Sequence, residues 1–117
     1  MNLFEETFGD PYEAVNLEHL NKEILWAAIQ YYPFDIDGGW NINLKSDRTQ
    51  SEFNSFIEIM KTIDYDAGYG TQEVYGYIVY KDGTWLSRGE YDGKEWWVYN
   101  SIPKEPNWNA KEIADKF

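Results

Sequence analysis

The sequence predicts an α+β domain: an antiparallel sheet of three to four strands with two main helices packed on one face. Three observations lead there. Residues 73–100, EVYGYIVYKDGTWLSRGEYDGKEWWVYN, hold three alternating, aromatic-rich runs joined by Asp82-Gly83 and Asp92-Gly93. Asp-Gly between such runs signals a hairpin, because a type I′ turn needs φ > 0 at both central residues. The stretches 17–31 and 48–63 carry apolar residues at helical spacing. Finally, 117 residues with 43% hydrophobic content suffice for one modest core, so residues 1–117 are expected to form a single domain.

The elements follow in order. Residues 1–15 mix Glu5, Glu6, Asp10 and Glu13 with Phe4, Phe8 and Tyr12, and Asp10-Pro11 is a turn signal. This reads as an irregular arm with one helical turn. Asn16 caps the first main helix, 17–31, whose stripe is Leu17, Leu20, Ile24, Ala27, Ala28 and Tyr31, and Pro33 ends it. His19, the only histidine, falls off that stripe and reads as an exposed surface residue. After Gly38-Gly39, Trp40, Ile42 and Leu44 alternate with Asn41, Asn43 and Lys45, a short strand. Asp47 stands where it can cap the second main helix, 48–63, with its stripe of Phe53, Phe56, Ile57, Met60 and Ile63. An acidic, Gly-rich loop over 64–72 leads into the meander. Pro103 and Pro106 stop the sheet, and a short C-terminal helix is expected from Asn109, with Ile113 and Phe117 as its apolar side.

Two-residue turns would fix the register of the meander. Tyr80 then faces Trp85, Ile78 faces Ser87 and Gly76 faces Gly89; across the second turn Gly89 faces Trp96 and Ser87 faces Val98. One face carries Val74, Ile78, Tyr80, Trp85, Tyr91, Trp96 and Val98 and is assigned to the core. Gly76 and Gly89 leave a trough beside Trp96. The other face carries Tyr75, Tyr77, Val79, Leu86, Trp97 and Tyr99 with Lys81, Arg88, Glu90 and Glu95. An aromatic face rimmed by charge reads as a binding surface and offers a route to a homodimer. Glu90 and Glu95 lie directly opposite each other, which costs stability in the free protein.

Charge narrows the function. Twenty-one Asp and Glu against ten Lys and Arg give −11, which repels nucleic acid and anionic membrane and favours basic partners. There is no Cys, so disulfides and Cys-based metal sites are excluded and a reducing, cytoplasmic setting is expected. No apolar run approaches the ~20 residues of a membrane span, and MNLFEETF lacks the basic and apolar regions of a signal peptide. Asp35-Ile36-Asp37-Gly38 and Asp64-Tyr65-Asp66-Ala67 resemble the start of a calcium loop. The bidentate Glu needed at its twelfth position is replaced by Ser46 and Tyr75. Phosphate-binding, dinucleotide and serine-nucleophile motifs are missing, so no cofactor, metal or catalytic set is expected. The one enzymatic alternative is a small carbohydrate-active enzyme using Glu90 and Glu95 as paired carboxylates among aromatic rings.

The segment GTWLSRGEYDGKEWWVYNSIPKEP, within residues 76–106, resembles small acidic proteins encoded by phages and plasmids. The resemblance brings no catalytic assignment. It implies a mobile-element origin and, with it, inhibition of a host defence enzyme by occupation of a DNA-binding surface. The expected function is therefore a non-enzymatic, inhibitory nucleic-acid mimic of the anti-restriction or anti-CRISPR type, acting in the host cytoplasm on a basic nucleic-acid-binding host protein and not on nucleic acid or membrane. Its contact residues are expected to be Asp64, Asp66, Glu73, Asp82, Glu90, Asp92 and Glu95, with Tyr77, Trp97 and Tyr99 on the aromatic face. The alternatives are an immunity protein for a nuclease toxin and a structural protein that self-associates through that face.

Overall fold

A computed structural model of the chain describes residues 2–9, 15–33, 37–68 and 70–105. The elements are α1 (Leu3–Phe8), α2 (Leu17–Glu23), β1 (Ile24–Tyr31), β2 (Trp40–Leu44), α3 (Gln50–Thr62), β3 (Val74–Tyr80), β4 (Trp85–Tyr91) and β5 (Lys94–Asn100). The strands form one antiparallel sheet in the order β2-β1-β3-β4-β5. The fold is α+β with the expected meander. The expected turn at Asp10-Pro11 and the helix from Asn109 lie outside the described residues.

The sheet has five strands because the stretch 17–31 is a helix only as far as Glu23; its second half is β1. A bulge explains the misleading period. Ile24 pairs with Tyr80 and Trp26 with Val79, so Leu25 is an extra residue. The buried positions are therefore Ile24, Ala27 and Ile29, a spacing of three and then two. The first interval imitates a helix. Ala28, placed inward by the helical reading, is exposed. Arg48 takes up the carbonyls released where α2 stops. Its Nη1 donates to Leu25 O at 3.0 Å and Lys45 O at 3.1 Å, its Nη2 to the carbonyls of Asn21 and Ile24, and its Nε to Asn21 Oδ1 at 2.9 Å.

Thr49, rather than Asp47, caps α3, in a reciprocal capping box with Glu52. The expected α3 stripe forms the centre of the core. Phe53, Phe56, Ile57, Met60 and Ile63 pack with Ile24, Ala27 and Ile29 of β1, Ile42 and Leu44 of β2, and Val74 and Ile78 of β3. Leu3 of α1 is fully buried in the same cluster, and Leu20 of α2 joins it.

The meander departs from the predicted register at its first turn. Ile78 pairs with Leu86 and Val79 with Trp85, one residue away from the expected Ile78–Ser87. Tyr80 N donates to Thr84 O at 2.9 Å and Gly83 N to Tyr80 O at 3.1 Å, which makes Lys81-Asp82-Gly83 a three-residue loop. Only Gly83 takes a positive φ there (88°). The second turn is the expected two-residue type, with φ of 50° at Asp92 and 86° at Gly93, and Gly89–Trp96 and Ser87–Val98 pair as predicted.

A one-residue shift exchanges the faces of β4 and β5 relative to β3. Leu86 and Trp97 turn inward and pack on the core. Trp85, Gly89, Trp96 and Val98, expected inside, lie on the outer face with Tyr75, Tyr77 and Val79. The trough at Gly89 is real but opens outward: a Cβ there would stand 2.7 Å from Cε2 and Nε1 of the Trp96 indole. The outward positions of the five strands carry no Asp or Glu, although the chain has 21.

Candidate partner-binding site

The register shift decides what happens to the acidic residues. β3 and β4 pair only over Tyr77–Val79 and Trp85–Ser87. Beyond that the start of β3 lies open, and side chains from β4 and β5 complete it. Glu95 accepts from Glu73 N at 2.8 Å and Val74 N at 3.0 Å, and Arg88 Nε donates to Val74 O at 3.3 Å. These bonds stand in for the missing ladder.

Arg88 is the hub of this region. Its guanidinium donates to Glu95 Oε1 at 2.6 Å, Glu6 Oε1 at 3.1 Å and the Tyr65 hydroxyl at 2.7 Å, and lies 4.7 Å over the Trp97 ring. Tyr65 in turn donates to Glu6, and the Trp97 indole N–H donates to Thr7 Oγ1 at 2.8 Å. Burial alone would lower the Arg88 pKa, but the bond to Glu95, followed by Tyr65 and Glu6, holds it above its ordinary value. The network ties α1, the 64–73 loop and all three meander strands together. No unpaired buried side-chain polar atom remains among the described residues.

The expected contact residues divide accordingly. Glu95 is 4% exposed and Glu73 9%, so neither is presented to a partner. Trp97 is held inside under Arg88. The like-charge pair Glu90–Glu95 does exist in register. Arg88 neutralises one member, and the other turns to accept Gly93 N at 3.0 Å. Asp82 is exposed in the first turn, where the Thr84 hydroxyl and then the Thr84 N–H hold its carboxyl below the usual range. That turn lies at the end of the sheet opposite Asp92. Tyr99, 66% exposed, lies beside Asp82 in a groove of about 360 Å³ with Glu23 and Tyr80. Tyr77 is 52% exposed on the outer face.

Asp64, Asp66, Glu90 and Asp92 remain, all exposed and all at one end of the sheet. The 64–72 loop and the β4–β5 turn meet there by a close backbone approach. Glu95 N donates to Ala67 O at 2.7 Å, and a Cβ on Gly93 would stand 2.6 Å from Gly70 O. Glycine at 93 therefore serves both the turn and the packing of the 64–72 loop against it.

No family model, curated protein or solved structure matches the chain.

Asp64 and Asp66 line a pocket of about 320 Å³ with Tyr31, Tyr65, Gly70, Thr71 and Glu73. The Tyr31 and Tyr65 rings meet edge to face at 6.4 Å, and Trp40 backs Tyr31 at 5.6 Å. Burial, then the charges of Glu73 and Asp64, push the Tyr31 hydroxyl above its ordinary value. Burial and the bond to Glu6 do the same to Tyr65. Sequence reasoning missed Glu6, Tyr31 and Tyr65 here. The signal for Tyr65 is its place between Asp64 and Asp66; Tyr31 sits on the helical stripe that the spacing of 17–31 predicts, whereas it ends β1. Among the described residues no three His, Asp or Glu side chains gather as a metal site, and no helix is long and apolar enough to cross a membrane.

Proposed function

We propose that the protein is a non-enzymatic binding protein for a basic partner, with Asp64, Asp66, Glu90 and Asp92 as its charged contact. The observation that carries this reading is that these four exposed carboxylates lie at one end of the sheet, two on the 64–72 loop and two at the β4–β5 turn against which that loop packs. Both arginines of the chain are turned to internal acceptors, Arg48 to carbonyls and Arg88 to Glu6 and Glu95. The cations left outside are lysines. A negative end of this kind attracts and orients a basic surface.

In its more specific form the partner is a host nucleic-acid-binding protein, such as a defence nuclease. The carboxylates then occupy Lys and Arg that would otherwise neutralise phosphates. The phage-like segment favours an inhibitor; an immunity protein for a nuclease toxin would use the same contacts. The test is competition. The protein is used to capture a partner from host lysate, and the captured partner is bound to labelled duplex DNA. Release of the DNA by increasing amounts of this protein supports mimicry. A ternary complex with the DNA still bound overturns it.

The outer sheet face favours a second reading, self-association. Trp26, Tyr75, Tyr77 and Trp96 are each more than a third exposed there, and no carboxylate interrupts the outward strand positions. A face without carboxylates is where two chains of charge −11 repel each other least. Sedimentation velocity across a concentration series tests it, with a monomer at all concentrations as the contrary result.

A further inference from the structure

We infer that the outer face of the sheet binds a neutral oligosaccharide; this goes beyond the basic-partner reading and does not rest on it. The aromatic residues at the outward strand positions are Trp26, Tyr75, Tyr77, Trp85, Tyr91 and Trp96, all rings with a polar N–H or O–H. None of the chain's six Phe is among them. The long aliphatic side chains Ile24, Ile29, Ile42, Leu44, Ile78 and Leu86 turn inward, and Leu25 in the bulge is the one left outside. Amides and a hydroxyl stand between the rings: Gln30, Asn41, Asn43, Ser87 and Asn100. The single charge at these positions is Lys94, at the β4–β5 turn.

Two of the rings are held open. The Trp96 indole leans across Gly89, with Cε2 and Nε1 in the space a Cβ would take, and remains exposed. Tyr77 has Ala28 beside it on β1 and Ser87 beside it on β4, and neither is large enough to cover its ring. Gln30 and Asn41, both exposed, share the cross-strand row of Tyr75, and Gln30 Nε2 donates to Asn41 Oδ1 at 3.3 Å. A pyranose ring presents a face of C–H groups and a rim of hydroxyls. The C–H face stacks on the electron-rich face of an indole or phenol. Amides supply both the donors and the acceptors that hydroxyls need.

Charge and side-chain type select among occupants. A face without carboxylates offers a cation no counter-charge, and a chain of −11 repels an anionic polymer. A second copy packed sheet on sheet would interdigitate aliphatic side chains in a core about 10 Å thick; the outward positions offer only Leu25, Val79 and Val98 of sufficient size, with amides between the rings. A neutral polyol uses the rings and the amides together.

The test titrates neutral cellohexaose, maltohexaose and N-acetylchitohexaose, and the anionic hexagalacturonate, into the full chain. The Trp96 indole N–H and Gly89 amide resonances are followed. Saturable shifts with at least one neutral hexasaccharide, and none with hexagalacturonate, are expected. Trp96→Ala and Tyr77→Ala should each weaken binding on the order of tenfold, with the Gly89 amide as the reporter. Ile59→Ala, which removes exposed apolar surface from α3, should leave binding unchanged. No saturable shift with any neutral hexasaccharide, equal shifts with hexagalacturonate, or equal losses in all three variants would overturn the inference. A dimer in sedimentation velocity that Trp96→Ala and Tyr77→Ala dissociate and no hexasaccharide does would also overturn it and give the face to a second copy. Capture of a basic protein should proceed with the hexasaccharides present, so each reading can fail while the other stands.

Discussion

Glu95→Gln exchanges one oxygen for an amide nitrogen, and the structure makes this small change costly. Glu95 Oε1 accepts from Val74 N and Arg88 Nη2, and Oε2 accepts from Glu73 N. Glutamine has only one acceptor oxygen. Whichever way the amide turns, its NH₂ faces a backbone N–H, and one buried donor is orphaned at about 1–3 kcal/mol. The charge-assisted bond from Arg88 also loses its anion, worth about 1.5–3 kcal/mol. Glu6 still pairs with Arg88 at 3.1 Å, which limits the loss. The sum is about 3–5 kcal/mol, the usual cost of breaking a buried pair, and a melting temperature lower by on the order of 10–20 °C. Thermal and urea denaturation of the free protein measure it. Glu90→Gln is the internal control, because Glu90 is exposed and its one bond, to Gly93 N, needs only an oxygen. It should stay within about 0.5 kcal/mol of the parent. Equal stability of the two variants would mean that the Glu95 carboxylate does not hold the open start of β3.

Three further outcomes follow from the same geometry. Gly76→Ala should destabilise far more than Gly89→Ala: a Cβ at Gly76 would stand 2.1 Å from the Ala28 carbonyl oxygen at φ 128°, whereas at Gly89 it meets the half-exposed Trp96, which can swing away. Denaturation midpoints in the reverse order would contradict the β1–β3 register. Gly89→Val, which adds bulk at the same trough, should cost about 1–3 kcal/mol and shift the tryptophan emission; unchanged emission would contradict the Gly89–Trp96 contact. In alkaline solution, the Tyr80 phenol is pushed from 10.0 up to about 12 by burial and then by Glu23 and Asp82. The unfolded chain releases this proton first, so the contribution is whole below pH 10 and is lost as pH rises through about 12. Urea midpoints should fall across that window, and less so in Tyr80→Phe; a flat profile, or an equal fall in the variant, would contradict it.

The α3 stripe, β2 and the second hairpin were legible because each rests on one local rule. Phe53, Phe56, Ile57 and Met60 repeat at helical spacing, Ile42 and Leu44 at period two, and Asp92-Gly93 supplies two residues able to take positive φ. The identical dipeptide Asp82-Gly83 forms a different loop. There the Asp82 side chain bonds Thr84 N and Oγ1 instead of taking positive φ itself. Nothing within the dipeptide distinguishes the two cases, and the difference of one residue exchanges both faces downstream. The second failure lies in β1, where the bulge at Leu25 produced the interval Ile24–Ala27 that reads as helix. The roles of Glu95 and Arg88 follow from the corrected faces. Turned outward, they read as an acidic contact with a neighbouring cation; turned inward, they must pair with each other and with the backbone of β3. The tyrosine-walled pocket was illegible because Tyr31 and Tyr65 are brought together only by the path of the chain between α3 and β3.

Whether the loop–turn end of the sheet is a charged contact for a basic partner is decided by capture from cell lysate with two immobilised proteins, the parent chain and the variant Asp64→Asn, Asp66→Asn, Glu90→Gln, Asp92→Asn. These four positions are exposed, so the variant is expected to melt close to the parent. The parent should retain a basic nucleic-acid-binding protein that the variant does not, and should release it on raising salt to about 0.5 M, where exposed charges more than a few ångströms apart are screened. Equal retention by both proteins, unaffected by salt, would contradict this and move the contact to the carboxylate-free outer face of the sheet.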